Sequence, residues 1–226
     1  MTESPSTATI EELRQTVARA FWLAEAIKVN VAEPFALASG NHSPIYVNCR
    51  LLISDPEFMR LYTEVGQRVL SAAGVKPDAI AGGETAGIPY AAYLARDSDL
   101  PMVYVRKRAK GYGIASKVEG RLEEGWSILL VEDLVTDGGS KLGFIEALRA
   151  GGATVEDALV LFDRQQGGDR LLAEHGVTLH AVTDRTTTLE VGEAIQVLER
   201  AERREVEVYF ADPASWHSQR GLAFQS

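Results

Sequence analysis

The chain has 226 residues, of which 46% are hydrophobic and 24% are charged, and its formal net charge is −9. This length and composition predict one soluble globular domain over residues 1–226 rather than a disordered or fibrous chain. The acidic balance argues against a broad nucleic-acid surface, no apolar run is long enough to span a bilayer, and a single cysteine, Cys49, excludes an intrachain disulfide. We therefore expect a cytoplasmic protein that binds neither nucleic acid nor membranes.

The N-terminal part is predicted to form helices around an irregular segment. Apolar residues recur at helical spacing over residues 10–28, which predicts the first helix. Residues 31–53 are broken by prolines and a glycine and favour β structure only in pieces. The segment from about 10 to 55 is therefore predicted to be an N-terminal helix with a small hood element outside the main sheet. An Asp-Pro pair then begins a second helix over residues 55–73.

Apolar runs typical of strands alternate with helical periodicity over about 75–203. This alternation predicts an α/β core, a parallel sheet with right-handed crossovers and helices on both faces. Residues 204–226 contain Trp216 and Phe224 and are predicted to be a tail that packs back on the body. The predicted strands are 78–82, 102–106, 127–131, 154–162 and 177–182, and the predicted helices are 86–95, 140–150, 169–175 and 189–203.

The most informative segment reads ILLVEDLVTDGGSK, residues 128–141. Four apolar residues are followed by two carboxylates, Glu132 and Asp133, and then by a turn rich in hydroxyl groups and glycine. Ligands bind beyond the carboxyl ends of strands in open α/β sheets. The N–H groups of residues 136–140 can surround a phosphate at the start of the next helix. The acids suit sugar hydroxyls, or a magnesium ion held through water. Together these features predict a phosphorylated sugar as ligand.

Further segments can contribute to an anion site, each with a simpler alternative. Four basic residues fall within positions 106–110 and glycines follow at 111 and 113, so this segment can close over pyrophosphate or be an ordinary solvated loop. The GGETAG turn at 82–87 can present N–H groups or serve only packing. Arg164 follows a predicted strand and can pair with a planar carboxylate or lie free on the surface. Phe35 and Tyr46 are expected in the core.

Residues 132–140, EDLVTDGGS, resemble the phosphoribosyl pyrophosphate motif of the type I phosphoribosyltransferases. Four other stretches are similar to the orotate phosphoribosyltransferases within that family, in order and approximate spacing. They read SGNHSPIY at 39–46, AGGETAGIP at 81–89, YVRKRAKGYG at 104–113 and VEG at 118–120.

This resemblance implies a type I phosphoribosyltransferase fold and transfer of the 5-phosphoribosyl group from phosphoribosyl pyrophosphate to N1 of orotate, with Mg²⁺, in pyrimidine biosynthesis. It also implies a homodimer that shares loop residues between subunits. Lys110, Glu132 and Asp133 are carried over as catalytic residues, with Asp133 also near the metal through water, and Thr136 and Arg164 as orotate contacts. The residues implied to bind phosphoribosyl pyrophosphate are Arg106, Lys107, Lys110, Tyr112, Glu132, Asp133, Leu134, Val135, Thr136, Asp137, Gly138, Gly139 and Ser140.

The chain departs from the family pattern at Tyr112, where many members have histidine, so the loop has one fewer potential cation. Two alternatives stay open at this point. One is a phosphoribosyltransferase for another base, and the other is a regulator that senses phosphoribosyl pyrophosphate without catalysis. A regulator is expected to carry a DNA-binding domain and a basic face, which the net charge of −9 does not favour.

Overall fold

The computed structural model describes residues 8–37, 39–108 and 117–225. Within them the helices are α1 (Ile10–Leu23), α2 (Pro56–Ala72), α3 (Gly87–Asp97), α4 (Gly139–Ala150), α5 (Gly168–Glu174), α6 (Arg185–Ala194), α7 (Arg200–Ala211) and α8 (Pro213–Gln219), and a 3-10 helix covers Cys49–Ser54. The strands are β1 (Ile27–Val29), β2 (Phe35–Ala36), β3 (His42–Ser43), β4 (Ile45–Val47), β5 (Ala79–Gly83), β6 (Met102–Val105), β7 (Val118–Glu119), β8 (Ser127–Val135), β9 (Thr154–Asp163) and β10 (Thr178–Asp184).

The main sheet has the strand order β10–β9–β8–β5–β6–β7. Every neighbouring pair from β10 to β6 is parallel, and only the short β7 pairs antiparallel with β6 at the edge. The predicted parallel α/β sheet is therefore confirmed. The chain places β6 on one side of β5 and then returns to place β8 on the other side. The strand order consequently reverses between β5 and β8.

Helices cover both faces of this sheet, as the sequence predicts. Alternating residues of β8 enter two separate apolar clusters, because successive side chains of a strand point to opposite faces. Leu129 and Val131 pack with residues of α1, α2, α3 and α6, whereas Ile128 and Leu130 pack with α4 and α5. In the described part of the chain, no helix is both long and apolar enough to cross a membrane.

The segment between α1 and α2 forms the hood, residues 27–54, outside the main sheet. It consists of two antiparallel two-stranded sheets, β1 with β4 and β2 with β3, followed by the 3-10 helix, which contacts β8. The predicted helix over 10–28 is wrong at its end. α1 ends at Leu23, and Glu25 takes a left-handed φ of 52°, so Ile27 lies opposite Val47 in β1 instead. Apolar spacing alone does not show whether residues 24–28 continue the helix or enter a strand.

The predicted single helix over 189–203 is also wrong, because two helices occupy this region. α6 begins at Arg185, where the Asp184 side chain accepts the N–H of Thr187 at 2.8 Å. It ends before Gln196, which has a left-handed φ of 62°. α7 then begins at Arg200 with a new capping box and crosses the predicted boundary at 203/204. The division of the chain into one domain with three parts remains a prediction.

Candidate functional site

The carboxyl ends of β5 and β8 form the point where the strand order reverses. β5 leads through a glycine turn into α3, and β8 leads through another into α4. The two strands are parallel neighbours, with Gly82 opposite Val131. Crossovers that leave in opposite directions open a crevice above such a pair of strands, and ligands of open α/β sheets bind there. The segments with acids, glycines and hydroxyl groups therefore lie side by side at this crevice.

β8 continues further than the sequence predicts. It ends at Val135 rather than at residue 131, because Leu134 and Val135 find partners in Phe162 and Asp163 of the long β9. The two acids, Glu132 and Asp133, thus lie within the strand. Successive strand residues face opposite sides, and their burial differs accordingly: Glu132 is 6% exposed, whereas Asp133 is half-buried. The two carboxylates therefore do not have equivalent access to a ligand.

Glu132 has a buried counter-ion. Its Oε2 atom lies 2.6 Å from Nζ of Lys141, and both side chains are less than 10% exposed. A Cβ atom on Gly83 or Gly87 would overlap Oε1 of Glu132, so the turn after β5 fits this carboxylate only with glycine. Burial raises the pKa of Glu132, although the charge of Lys141 partly opposes this.

Lys141 was not predicted as a site residue. A signal was present, because Lys141 lies in the first turn of α4, where the helix dipole disfavours a cation. A lysine in that position needs a compensating anion, and the adjacent Glu132 provides it.

The turn between β8 and α4 packs closely against the start of α5. Gly138 has a left-handed φ of 86°, and a Cβ atom there would lie 3.2 Å from the Cα atom of Gly168. α4 begins at Gly139, one residue before the predicted start at Ser140. The carboxylate of Asp137 accepts the N–H of Gly139 at 3.0 Å. One donor of the predicted phosphate cradle is thus already bound by a side chain of the same turn.

The basic segment after β6 begins beside the turn that follows β5. Arg106 is paired with Glu119 of β7, with 3.5 Å between Nη1 and Oε1. The Lys107 side chain is exposed, and its backbone N–H donates to Oε2 of Glu84 at 2.7 Å. Glu84 itself precedes a cis peptide bond to Thr85. The predicted contacts Lys110 and Tyr112 lie outside the described residues.

Arg164 lies at the end of β9 with an unsatisfied donor. Its backbone N–H donates to the carbonyl oxygen of Val135 at 3.0 Å, which places Arg164 beside Thr136. Its Nε atom is buried without a hydrogen-bond partner among the described residues. The guanidinium lies 5.7 Å from the ring centroid of Phe210, and Arg185 lies 4.3 Å from the same centroid. Burial lowers the pKa of Arg164. A desolvated guanidinium with a free donor is suited to an anionic ligand.

Phe210 and Arg185 were not predicted as site residues. Arg185 lies between the predicted strand 177–182 and the predicted helix 189–203, and Phe210 lies in the predicted tail, so their proximity to Arg164 had no sequence signal.

The hood reaches this site through the 3-10 helix. Cys49 is buried, and burial raises the pKa of its thiol, with a further contribution from the charge of Asp133. The core position expected for Tyr46 is wrong, because its side chain is 44% exposed. Its ring instead lies 5.8 Å from that of the half-buried Phe35. Within the described residues there is no group of three histidine, cysteine or acidic side chains that could hold a metal ion.

Comparison with known proteins agrees with this geometry. Residues 53–182 match the phosphoribosyl transferase domain family. The chain is 43% identical to the orotate phosphoribosyltransferase of Jannaschia sp. over 201 residues, or 87% of this chain and 88% of the relative. A similar solved structure is the Aeropyrum pernix orotate phosphoribosyltransferase, with a TM-score of 0.66, 33% identity, and coverage of 77% of this chain and 97% of that one. The UMP synthase of Leishmania donovani gives a TM-score of 0.79 at 28% identity over 89% of this chain, which spans 43% of that longer protein.

Proposed function

The chain belongs to the orotate phosphoribosyltransferases within the phosphoribosyl transferase family, and we propose that it transfers the 5-phosphoribosyl group of phosphoribosyl pyrophosphate to N1 of orotate. The products are orotidine 5′-phosphate and pyrophosphate, in a step of pyrimidine biosynthesis. The observation that carries this proposal is the crevice between β5 and β8, where two acids, a glycine turn and the start of α4 lie together.

The reaction needs no covalent nucleophile on the protein. N1 of orotate forms a bond to C1 of the ribose while the bond from C1 to pyrophosphate breaks, and the proton on N1 is lost to the leaving pyrophosphate or to water. Positive charge develops on the ribose ring and negative charge on the leaving group. Catalysis is then the stabilisation of separated charge by groups that are already in place.

Asp133 is the carboxylate proposed to face the ribose. It is half-buried and its Oδ1 atom accepts the N–H of Leu134 at 2.9 Å, which fixes its orientation. Its other oxygen can accept hydrogen bonds from ribose hydroxyl groups and place negative charge near the cationic ring. Glu132, paired with Lys141, contributes by supporting the turn after β5. For Glu132 to bind the ribose directly as well, its carboxylate must accept hydrogen bonds from Lys141 and from the sugar at the same time.

The carboxylate of Asp133 also fits a magnesium ion held through water, because Mg²⁺ prefers oxygen ligands and retains several of its own waters. Asp133 would be its protein contact, and the pyrophosphate oxygens would complete the donor set. When bound, the ion supplies positive charge that neutralises part of the pyrophosphate.

The phosphate groups of the substrate are assigned to two places. The N–H groups at the start of α4, with the hydroxyl groups of Thr136 and Ser140, would hold the 5′-phosphate. That phosphate would compete with Asp137 for the N–H of Gly139. Arg106, Lys107 and Lys110 would take the charge of the leaving pyrophosphate. We place the orotate carboxylate against Arg164, beside Thr136.

We further propose that the protein acts as a homodimer in the cytoplasm and that part of the basic loop completes the site of the neighbouring subunit. The support is the family membership.

The decisive test is an absorbance assay with purified protein, orotate, phosphoribosyl pyrophosphate and magnesium, followed with uracil, adenine and guanine in place of orotate. We expect loss of the orotate absorbance and pyrophosphate release with orotate alone. Turnover of another base instead would assign a different acceptor. Binding of phosphoribosyl pyrophosphate without turnover of any base would indicate a non-catalytic sensor.

A further inference from the structure

The C-terminal helices α7 and α8 connect Arg164 to the hood. α7 places Phe210 against the Arg164 guanidinium. The adjacent Tyr209 packs on Trp216 of α8, with 5.1 Å between the ring centroids, and Trp216 is fully buried. The two helices therefore form one packed unit, with one end against the arginine to which we assign the orotate carboxylate.

His217 of α8 joins this unit to the backbone of a hood strand. It is fully buried, and both ring nitrogens have partners. Nε2 accepts the backbone N–H of His42 in β3 at 2.9 Å, and Nδ1 donates to the carbonyl oxygen of Pro213 at 2.6 Å. These partners select the neutral ring with its hydrogen on Nδ1. A buried N–H that loses its acceptor is costly, so this contact favours one position of the strand.

The segment that follows α8 contacts the same part of the hood a second time. The Asn41 amide donates to the carbonyl oxygen of Gln225 at 2.8 Å, and the N–H of Gln225 donates back to Oδ1 of Asn41 at 2.7 Å. The ring of Phe224 lies 5.0 Å from that of His217. Two contacts, one from His217 and one from Gln225, thus hold residues 39–43, the hood loop.

The hood loop leads directly into the part of the hood that meets the site. β3 and β4 are separated by one residue, and the 3-10 helix beginning at Cys49 follows. This 3-10 helix contacts β8, the strand that contains Asp133. The position of the hood loop is therefore linked to the crevice at two places, through β4 and the 3-10 helix to β8, and through α8 and α7 to Arg164.

We propose that residues 213–225 act as a latch that holds the hood loop over the base end of the site, with His217 as a positioning residue. This proposal rests on the proposed function, because it assigns the latch to orotate binding. His217 contacts no substrate and acts through the backbone of His42. If the hood loop occupies its binding-competent position for a smaller fraction of the time, the apparent affinity of the protein for the ligand falls by the same factor. Loosening the latch should thus weaken orotate binding, whereas the β8–α4 turn, proposed to hold phosphoribosyl pyrophosphate, is unaffected.

The test compares His217→Leu with His217→Gln, whose amide oxygen can accept the His42 N–H. His175→Leu is the matched control, because His175 is an exposed histidine at the end of α5 whose ring contacts the carbonyl oxygen of Leu171 and not the hood. Hydrogen exchange of the hood loop is measured first, without substrate, and the KM for each substrate second. In His217→Leu we expect exchange about tenfold faster or more and an orotate KM raised about tenfold. The kcat and the KM for phosphoribosyl pyrophosphate should stay near wild type, and His217→Gln should recover most of the change.

Deletion of residues 223–226 is the second variant, since it removes the Gln225 contact from the surface and leaves the buried Trp216 cluster intact. It should produce the same changes to a smaller extent, and it decides the question if His217→Leu does not fold. Unchanged exchange in the hood loop overturns the latch. Faster exchange with an unchanged orotate KM, or with both KM values raised together, overturns its assignment to orotate. A wild type that does not use orotate rejects the proposed function, while the exchange measurement still decides whether the latch exists.

Discussion

Lys141 and Glu132 form a buried ion pair at the position before Asp133, the residue proposed to face the ribose, with 2.6 Å between Nζ and Oε2. The lysine projects from the first turn of α4, and the glutamate lies in β8. The pair thus joins the strand to the helix on either side of the turn proposed to bind the 5′-phosphate. Each of the two buried charges is stabilised by the other, because a lone ion in this position would lose its hydration without compensation.

Lys141→Met should destabilise the protein in a pH-dependent way. Burial already raises the pKa of Glu132, and removing the lysine charge raises it further. A carboxyl group with a raised folded-state pKa contributes stability below its unfolded pKa, and this stability is lost as the pH rises through the folded pKa. We expect the free energy of unfolding of the variant to lie about 3–5 kcal/mol below that of the wild type at about pH 8. The difference should be much smaller at about pH 5.5. Urea unfolding at both pH values measures it.

The control for this prediction is the double variant Lys141→Met with Glu132→Gln, which removes both charges and keeps similar volumes. It should recover a large part of the lost free energy of unfolding, because no uncompensated buried ion is left. An equal deficit of Lys141→Met at the two pH values would show that Glu132 does not titrate in response.

Asp133→Asn should lower kcat by about 100-fold, the scale observed when one electrostatic contact to a transition state is removed. The asparagine Oδ1 can keep the hydrogen bond from the N–H of Leu134, so the free energy of unfolding should change little. The control is Asp99→Asn, an exposed turn residue with a left-handed φ of 53°, which asparagine also tolerates. Near-normal kcat in Asp133→Asn would remove its proposed role.

Lys110→Ala should reduce kcat far more than it weakens orotate binding, because the lysine charge meets the leaving group mainly in the transition state. If Lys110 acts in the neighbouring subunit, mixing this variant with Asp133→Asn should restore activity. One site of the hybrid dimer then combines an intact Asp133 with Lys110 of the partner subunit. Inactive hybrids, once shown to have formed, would mean that each subunit builds its own site.

The core of the fold was predictable because its signals are local. The central parallel strands contain apolar runs, and the segment from Glu132 to Ser140 combines residue types that few other structures require. The extension of β8 to Val135 was not predictable from the acids themselves, since it depends on partners in β9. Lys141 was likewise missed, because its pairing with Glu132 depends on how a strand and a helix pack.

The C-terminal region could not be predicted for a related reason. The break between α6 and α7 depends on single residues, the left-handed Gln196 and the new cap at Glu199. The contacts of His217 and Gln225 with the hood join residues more than 170 positions apart. No periodicity in the sequence reports such contacts, so the predicted tail gave no indication that it reaches the hood loop.

Arg164→Ala should raise the KM for orotate at least tenfold and leave that for phosphoribosyl pyrophosphate nearly unchanged, because a hydrogen bond to a charged group contributes about 1.5–3 kcal/mol. Arg164→Lys should recover little, since an ammonium group cannot form a bidentate pair with a carboxylate. Arg185→Lys is the matched comparison on the same Phe210 ring. The negative charges of Asp163, Asp184 and Glu207 act on Arg185. We therefore expect Arg185→Lys to raise the KM for orotate less than Arg164→Lys does.

The same arginine predicts the choice of base. Uracil lacks the carboxylate of orotate and would leave the buried Nε of Arg164 without a partner. A site built around a charged partner rejects an analogue that lacks it, by up to about 10⁴-fold in kcat/KM. Measuring kcat/KM for both bases in wild type and in Arg164→Ala tests this directly. The ratio of the orotate value to the uracil value should be smaller in the variant. If the orotate KM does not change in the variant, the carboxylate binds elsewhere, most plainly against residues 39–46 of the hood. Efficient use of uracil by the wild type would reject orotate as the acceptor altogether.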